Sequence, residues 1–135
     1  MSLAPHPGFG LFGKAHREFF DALTEDGWKP VAGYQGVEEK ILSGHVDVPN
    51  RQGCVTRLAR WAPGAFVSHP VSHLWCEEVF VLSGSLSLGL PGAVEEPLLR
   101  AGTFACRPAH VVHGPFSSRD GCVLLEFMYF PPANP

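Results

Sequence analysis

Hydrophobic and polar residues follow two different periods along this chain of 135 residues. In residues 14–26 the apolar side chains recur at the spacing of one helical face, and Gly27 follows as a stop, which predicts a short helix. From Val37 onward the period approaches two, most clearly in residues 85–90, where every second residue is leucine. The pattern therefore predicts an all-β domain that is preceded by one helix.

Glycine and proline separate the predicted strands. The 15 glycines and 13 prolines are spread along the chain and form no single linker. Further strands are predicted at residues 54–61, 78–82, 98–99, 103–106 and 122–130, with turns at residues 63–64, 83–84, 91–92 and 101–102. Many short strands joined by turns are typical of a β-sandwich or barrel. We predict an N-terminal arm and helix at residues 1–34 and one β-barrel at residues 35–135.

Charge and composition narrow the possible partners. The formal net charge is −3 and the basic residues are scattered, so we expect no nucleic-acid partner. No apolar run approaches the roughly 20 residues that span a bilayer, so we expect no membrane partner. The N-terminus has no signal-peptide pattern, and the 4 cysteines form no C-x-x-C pair, which favours reduced thiols and a cytoplasmic location.

Histidines and a glutamate concentrate in two short segments, residues 63–84 and 102–113. Imidazole is the commonest side-chain metal ligand, and a nearby carboxylate suits Fe(II), Mn, Ni or Zn. His73 and Glu77 flank a three-residue connector between predicted strands, and His113 follows in the second segment. We predict that these three side chains meet at one divalent metal ion and leave coordination positions open for water, oxygen or substrate.

The same two segments resemble the paired motifs of the cupin superfamily, which read G-x5-H-x-H-x(3,4)-E-x6-G and G-x5-P-x-G-x2-H-x3-N. This sequence reads Gly64-x4-His69-x3-His73-x3-Glu77-x6-Gly84 and then Gly102-x5-Pro108-x-His110-x2-His113-x3-Ser117. The resemblance extends over about residues 35–130. It implies the RmlC-like jelly roll, a double-stranded β-helix, and one metal ion held by His69, His73, Glu77 and His113, with Fe(II) favoured and Zn, Ni or Mn as alternatives.

The spacing of the first two histidines departs from the cupin motif. In an extended strand, four residues span about 13 Å, which is too far for both rings to bind one ion. Either Pro70 kinks the chain and His69 joins the site, or the strand runs straight and His73, Glu77 and His113 form a two-histidine, one-carboxylate triad. We expect the kink, because proline cannot donate to a sheet ladder and sits naturally at bulges.

Two further residues are candidates for proton transfer. His110 stands where the motif has glycine and therefore near the predicted site. Glu126 interrupts an apolar strand; it points either to solvent or inward, as a proton acceptor or as a partner of a ligand histidine. We expect Arg57 and Arg60 at the surface, as charged residues mostly are.

The segments at residues 77–84 and 107–116 are most similar to a group of bacterial cupins that includes acetylacetone-type dioxygenases and ChrR-type anti-sigma factors. This likeness implies a metal-dependent enzyme of dioxygenase type that acts on a small molecule, with His110 and Glu126 as catalytic residues. The alternative is a module without catalysis that senses a metal or a metabolite. Cupins are commonly dimers, so we expect a homodimer.

Overall fold

The computed structural model describes residues 3–92 and 98–133. A 3₁₀-helix (Pro7–Phe12) is followed, within these residues, by eight strands. They are β1 (Lys29–Pro30), β2 (Gln35–Asp47), β3 (Gln52–Val67), β4 (Cys76–Leu88), β5 (Leu99–Arg100), β6 (Phe104–Arg107), β7 (Phe116–Ser118) and β8 (Cys122–Tyr129). The expected strands at residues 54–61, 78–82 and 122–130 are confirmed. No helix in the described ranges has the length and apolar character needed to cross a membrane.

All strand pairs are antiparallel, and they close a barrel. Strand β8 lies between β3 and β4 and pairs with both of them. Strand β7 also joins β3 to β4, further along both strands. The predicted all-β jelly-roll barrel with one short N-terminal helix is therefore confirmed. The proposed boundary between residues 34 and 35 stays a prediction; β1 lies before it and pairs with β2.

The interior of the barrel changes from charged to apolar along the strands. Residues directly opposite each other in an antiparallel pair share one face of the sheet. On β3 and β8, Arg57 pairs with Glu126, and Trp61 pairs with Cys122 further along. All four side chains point inward because they alternate with outward positions, and Trp61 belongs to the hydrophobic core. One end of the barrel is thus filled by apolar groups and the other end carries charges.

The helix expected at residues 14–26 does not form, and the helical element lies earlier, at Pro7–Phe12. The segment is instead a strap that is held by side chains of the sheet. Lys14 Nζ donates to Ser43 Oγ at 2.9 Å, and Lys40 Nζ donates to the Thr24 carbonyl at 3.0 Å. The expected apolar face finds no core, since Phe19 and Leu23 remain exposed. A short helix without a buried face is marginal in water, which accounts for the error.

The turns expected at residues 63–64 and 83–84 are bends inside two long strands. Strand β3 pairs with β8 up to Trp61 and with β7 from Ala65. Strand β4 pairs with β8 up to Gly84 and with β7 from Ser87. Gly64 and Gly84 therefore lie where each strand passes from one partner to the next. Both have left-handed backbone conformations, with φ of 85° and 72°.

We expect Gly84→Ala to destabilise the protein far more than Gly64→Ala. Both changes strain a left-handed residue, which costs about 1–2 kcal/mol. A Cβ on Gly84 would also lie 2.1 Å from the Gly121 carbonyl oxygen, whereas a Cβ on Gly64 meets no atom within 4 Å. Unfolding in urea should therefore give a loss of about 3 kcal/mol or more for Gly84→Ala and about 1 kcal/mol for Gly64→Ala. Equal losses would contradict the bend at Gly84.

Candidate metal centre

Three potential ligands converge at the charged end of the barrel. His73 lies in the loop between β3 and β4, Glu77 in β4 and His113 in the loop before β7. Their ligand atoms all lie within 4.8 Å of one another. His73 Nε2 is 3.4 Å from Glu77 Oε2, and His113 Nε2 is 3.8 Å from Glu77 Oε1. The Glu77 carboxylate is buried, with 5% of the residue exposed.

Backbone hydrogen bonds tie the two histidine loops together. Val71 and His113 form an isolated antiparallel bridge, in which each backbone N–H donates to the other carbonyl at 2.8 Å. The backbone N–H of His110 donates to the His73 carbonyl, also at 2.8 Å. These hydrogen bonds join the two loops that carry His73 and His113.

Neighbouring groups also fix the orientation of the two imidazoles. The ring of His73 stacks on Trp75 at a centroid distance of 5.0 Å and an interplanar angle of 6°. His113 Nδ1 lies 3.2 Å from the Val111 carbonyl, so an N–H at this position donates to it. That tautomer leaves the Nε2 lone pair directed at Glu77. A histidine whose other nitrogen is bound to a carbonyl is the common arrangement of metal ligands.

Burial sets the ionisation of the three groups. It lowers the pKa of His73 to about 4 and also lowers the pKa of His113. Both imidazoles are therefore neutral at physiological pH, as metal binding requires. Burial, assisted by the nearby Glu126, raises the pKa of Glu77 to about 7, while Arg107 acts in the opposite direction.

The residues fit a divalent metal ion. Two neutral imidazoles and one carboxylate are the donor set of non-haem Fe(II) sites, and Zn accepts the same ligands. Ligands at about 2.1 Å from one ion lie roughly 3 Å from each other. The three ligand atoms, which lie at most 4.8 Å apart, therefore need to approach one another by less than about 2 Å.

A cavity of about 40 Å³ adjoins the three ligands. Its wall comprises Val31, Tyr34, Val37, Arg57, Ala59, Trp61, His73, Glu77, Val79, Leu86, Arg107, His113, Phe116, Leu124 and Glu126. This volume exceeds the roughly 10–15 Å³ that one water needs and is far below the size of a pocket for a large organic ligand. The site therefore suits water or a small substrate beside the metal.

Two histidines that the sequence placed at the site lie outside it. His69 is exposed and follows the end of β3, and its Nδ1 lies 3.3 Å from the hydroxyl of Ser68. The cluster of possible ligands comprises His73, Glu77 and His113 without His69, so metal binding by His69 stays a prediction. His110 is also exposed, with a left-handed backbone (φ 73°), and its side chain is not part of the cavity wall. Its catalytic role stays a prediction.

Glu126 points inward, the second of its two predicted orientations. It is 5% exposed and lies in the cavity wall. Its partner is an arginine and not a ligand histidine: Arg57 Nη2 donates to Glu126 Oε2 at 3.1 Å. Arg57 also binds Glu39, across β2 and β3. The role of Glu126 in proton transfer stays a prediction.

Sequence reasoning missed two arginines of the site. Arg57 was expected at the surface, but it lines the cavity, while Arg60 points outward and binds Glu38. Arg107 Nη1 donates to Glu77 Oε1 at 3.1 Å. The available signal was strand parity, since Arg57 alternates with the apolar residues that follow it on β3. No local pattern marks Arg107.

Comparisons with known proteins agree with this geometry. The family described as ChrR Cupin-like domain matches residues 17–129. No curated protein matches the sequence significantly. The polyketide cyclase RemF from Streptomyces resistomycificus aligns with a TM-score of 0.63 and 22% identity, over 87% of this chain and 83% of its own.

Two further solved structures are similar. An acetylacetone dioxygenase from Acinetobacter johnsonii gives a TM-score of 0.61 at 14% identity, over 86% of this chain and 76% of its own. A chain in the complex of Rhodobacter sphaeroides SigE with the anti-sigma ChrR gives 0.54 at 22% identity, over 93% of this chain and 56% of its own. At these identities the structural likeness shows the fold alone, and it confirms the resemblance to cupins.

The buried Glu77 predicts an unusual pH dependence of the metal-free protein. Because its pKa is about 7 in the folded state against an ordinary 4.5, the folded protein keeps a proton that the unfolded chain has lost between these values. Stability from this group therefore falls as the pH rises through that window. His73 has the opposite effect on stability. The stability that its neutral ring contributes is lost as the pH falls from 6.5 to about 4.

The substitution Glu77→Gln removes the titrating carboxylate and so measures its contribution to stability. Between about pH 4.5 and pH 8, the free energy of unfolding of Glu77→Gln should rise relative to the unmodified protein by up to about 3 kcal/mol. Urea unfolding in the presence of a chelator measures the difference. A difference that does not vary with pH would contradict the raised pKa of Glu77.

Proposed function

We propose that this chain, which belongs to the ChrR cupin-like domain family, is a metal-dependent enzyme of dioxygenase type that acts on a small molecule. The observation that carries the proposal is the convergence of His73, Glu77 and His113 beside a small cavity. Three ligands on one side of an ion leave the cavity side open for oxygen and substrate.

The chemistry of the donor set favours Fe(II). His73 and His113 would hold the ion through neutral nitrogens, and Glu77 would supply the single negative charge. The metal, when bound, supplies a Lewis acid and, as Fe(II), a centre that can react with oxygen. The apolar part of the cavity wall, including Phe116 and Leu124, excludes water from the open side.

The charges around the cavity indicate the class of substrate. When ionised, Glu39, Glu77 and Glu126 carry three negative charges against the two positive charges of Arg57 and Arg107. Metal binding requires the ionised Glu77, so a bound divalent ion would leave this group with a net charge of +1. A buried excess of one positive charge favours a substrate that binds as a monoanion. A small oxygen chelator, such as the enolate of a β-dicarbonyl compound, meets this charge requirement.

Glu126 is the best placed residue to accept a proton from such a substrate. Its carboxylate lies in the cavity wall, and Arg57 binds Oε2, which fixes the orientation of the group. Proton transfer requires hydrogen-bond reach to the substrate, and a cavity of about 40 Å³ keeps a substrate close to this wall.

A sensing module is the second candidate function. The family description and the likeness to a chain of the SigE–ChrR complex support it. A sensor needs the metal site but no oxygen consumption, so the two candidates differ in a measurable way.

The homodimer stays a prediction, and a measurement of the molar mass in solution would test it.

We expect the purified protein to bind one equivalent of Fe(II) after anaerobic reconstitution and to consume oxygen with a small β-dicarbonyl such as acetylacetone. Glu77→Ala and His113→Ala should each weaken metal binding by more than about 100-fold. The loss of a direct ligand weakens binding more than the loss of a residue that only orients a ligand. His69→Ala is the matched control and should bind metal like the unmodified protein.

The outcomes separate the candidates. Full metal occupancy in both Glu77→Ala and His113→Ala would refute the metal centre. Normal occupancy of the unmodified protein without oxygen uptake, across a panel of small chelating anions, would favour the sensing module. A loss of binding in His69→Ala as large as in His73→Ala would restore the four-ligand site.

A further inference from the structure

The strand register places Arg107 directly against a proposed metal ligand. Arg107 on β6 and Glu77 on β4 are cross-strand partners, so both side chains leave the sheet on its inner face. The side chain of Arg107 is 21% exposed, and its guanidinium lies 5.7 Å from the ring centroid of Phe116. The guanidinium is therefore fixed between an aromatic ring and the buried carboxylate.

The two oxygens of Glu77 have different surroundings. Oε1 accepts a hydrogen bond from Arg107 Nη1 at 3.1 Å and lies 3.8 Å from His113 Nε2, whereas Oε2 lies 3.4 Å from His73 Nε2 and accepts no hydrogen bond from Arg107. A free carboxylate can bind a metal through one oxygen or through both. A carboxylate with one oxygen held by a guanidinium presents the other oxygen.

We propose that Arg107 is a positioning residue that holds Glu77 Oε1, so that Glu77 offers a metal ion one oxygen and leaves a further coordination position open. The inference rests on the proposed metal centre. In this role Arg107 determines how many coordination positions of the metal ion stay open. Oxygen and a chelating substrate can bind at the same time only if enough of these positions are open.

Affinity alone does not identify this role. A guanidinium beside a divalent cation repels it, and a second oxygen from Glu77 would add a donor, so both consequences of removing Arg107 favour tighter metal binding. The coordination number of the bound ion therefore distinguishes a positioning role from a simple background charge.

The test is Co²⁺ binding, followed by visible absorption and by competition with a chelator of known affinity. Arg107→Met should reduce the intensity of the visible absorption, because a second oxygen from Glu77 raises the coordination number. The added donor should leave Co²⁺ binding as tight as in the unmodified protein or tighter. Arg60→Met is the matched control: this arginine lies on the outer face of β3, bound to Glu38, and its loss should change neither quantity.

Arg107→Lys keeps the charge but loses the fixed fork of donors, so it tests the inference even where Arg107→Met does not fold. The intensity of its visible absorption should fall between those of the unmodified protein and Arg107→Met. An unchanged spectrum in the folded Arg107 variants would overturn the inference alone. Failure of the unmodified protein to bind Co²⁺ would overturn the proposed metal centre and this inference with it.

Discussion

A carboxylate buried inside a closed barrel is the feature on which the rest of this structure depends. Glu77 and Glu126 are each 5% exposed, and both face the same small cavity. Two buried negative charges are costly unless each is paired. Arg107 pairs with Glu77 and Arg57 pairs with Glu126, while the two neutral imidazoles add no charge. A divalent ion among these ligands would favour the ionised form of Glu77, whose pKa burial raises to about 7.

The strand register makes this arrangement possible. Because β8 lies between β3 and β4, Glu126 has Arg57 opposite it on one side and Val79 on the other. Because β6 pairs with β4, Arg107 lies opposite Glu77. A slip of one residue in either pairing would turn a charged side chain to the outer face and leave its partner buried alone. The strand register therefore determines which charged side chains meet inside the barrel, and the cost of an unpaired buried charge in turn favours this register.

The sequence predicts the parts of this protein that depend on local pattern. Period-two alternation identifies the long central strands, and the histidine and glutamate spacing identifies His73, Glu77 and His113. The inward orientation of Arg57 depends on which residues flank it across the sheet, and His69 depends on the course of a loop after the strand ends. The helix expected at residues 14–26 had the correct periodicity but no apolar surface on which to pack. The helix error concerns tertiary contacts that no local window contains, whereas strand parity on β3 could have indicated the orientation of Arg57.

The three proposed ligands lie on two kinds of element, one on a strand and two on loops, and this difference affects metal binding. Glu77 belongs to a long strand and is rigid, whereas both histidines belong to loops. The bridge between Val71 and His113, with two hydrogen bonds of 2.8 Å, joins those loops before any ion is bound. Ordering the ligands in advance reduces the entropy lost on binding and therefore favours affinity. An ion that then binds all three would stabilise the folded state, because the unfolded chain has no such cluster. The loops, the strand and the ion would therefore form one cooperative unit at the charged end of the barrel.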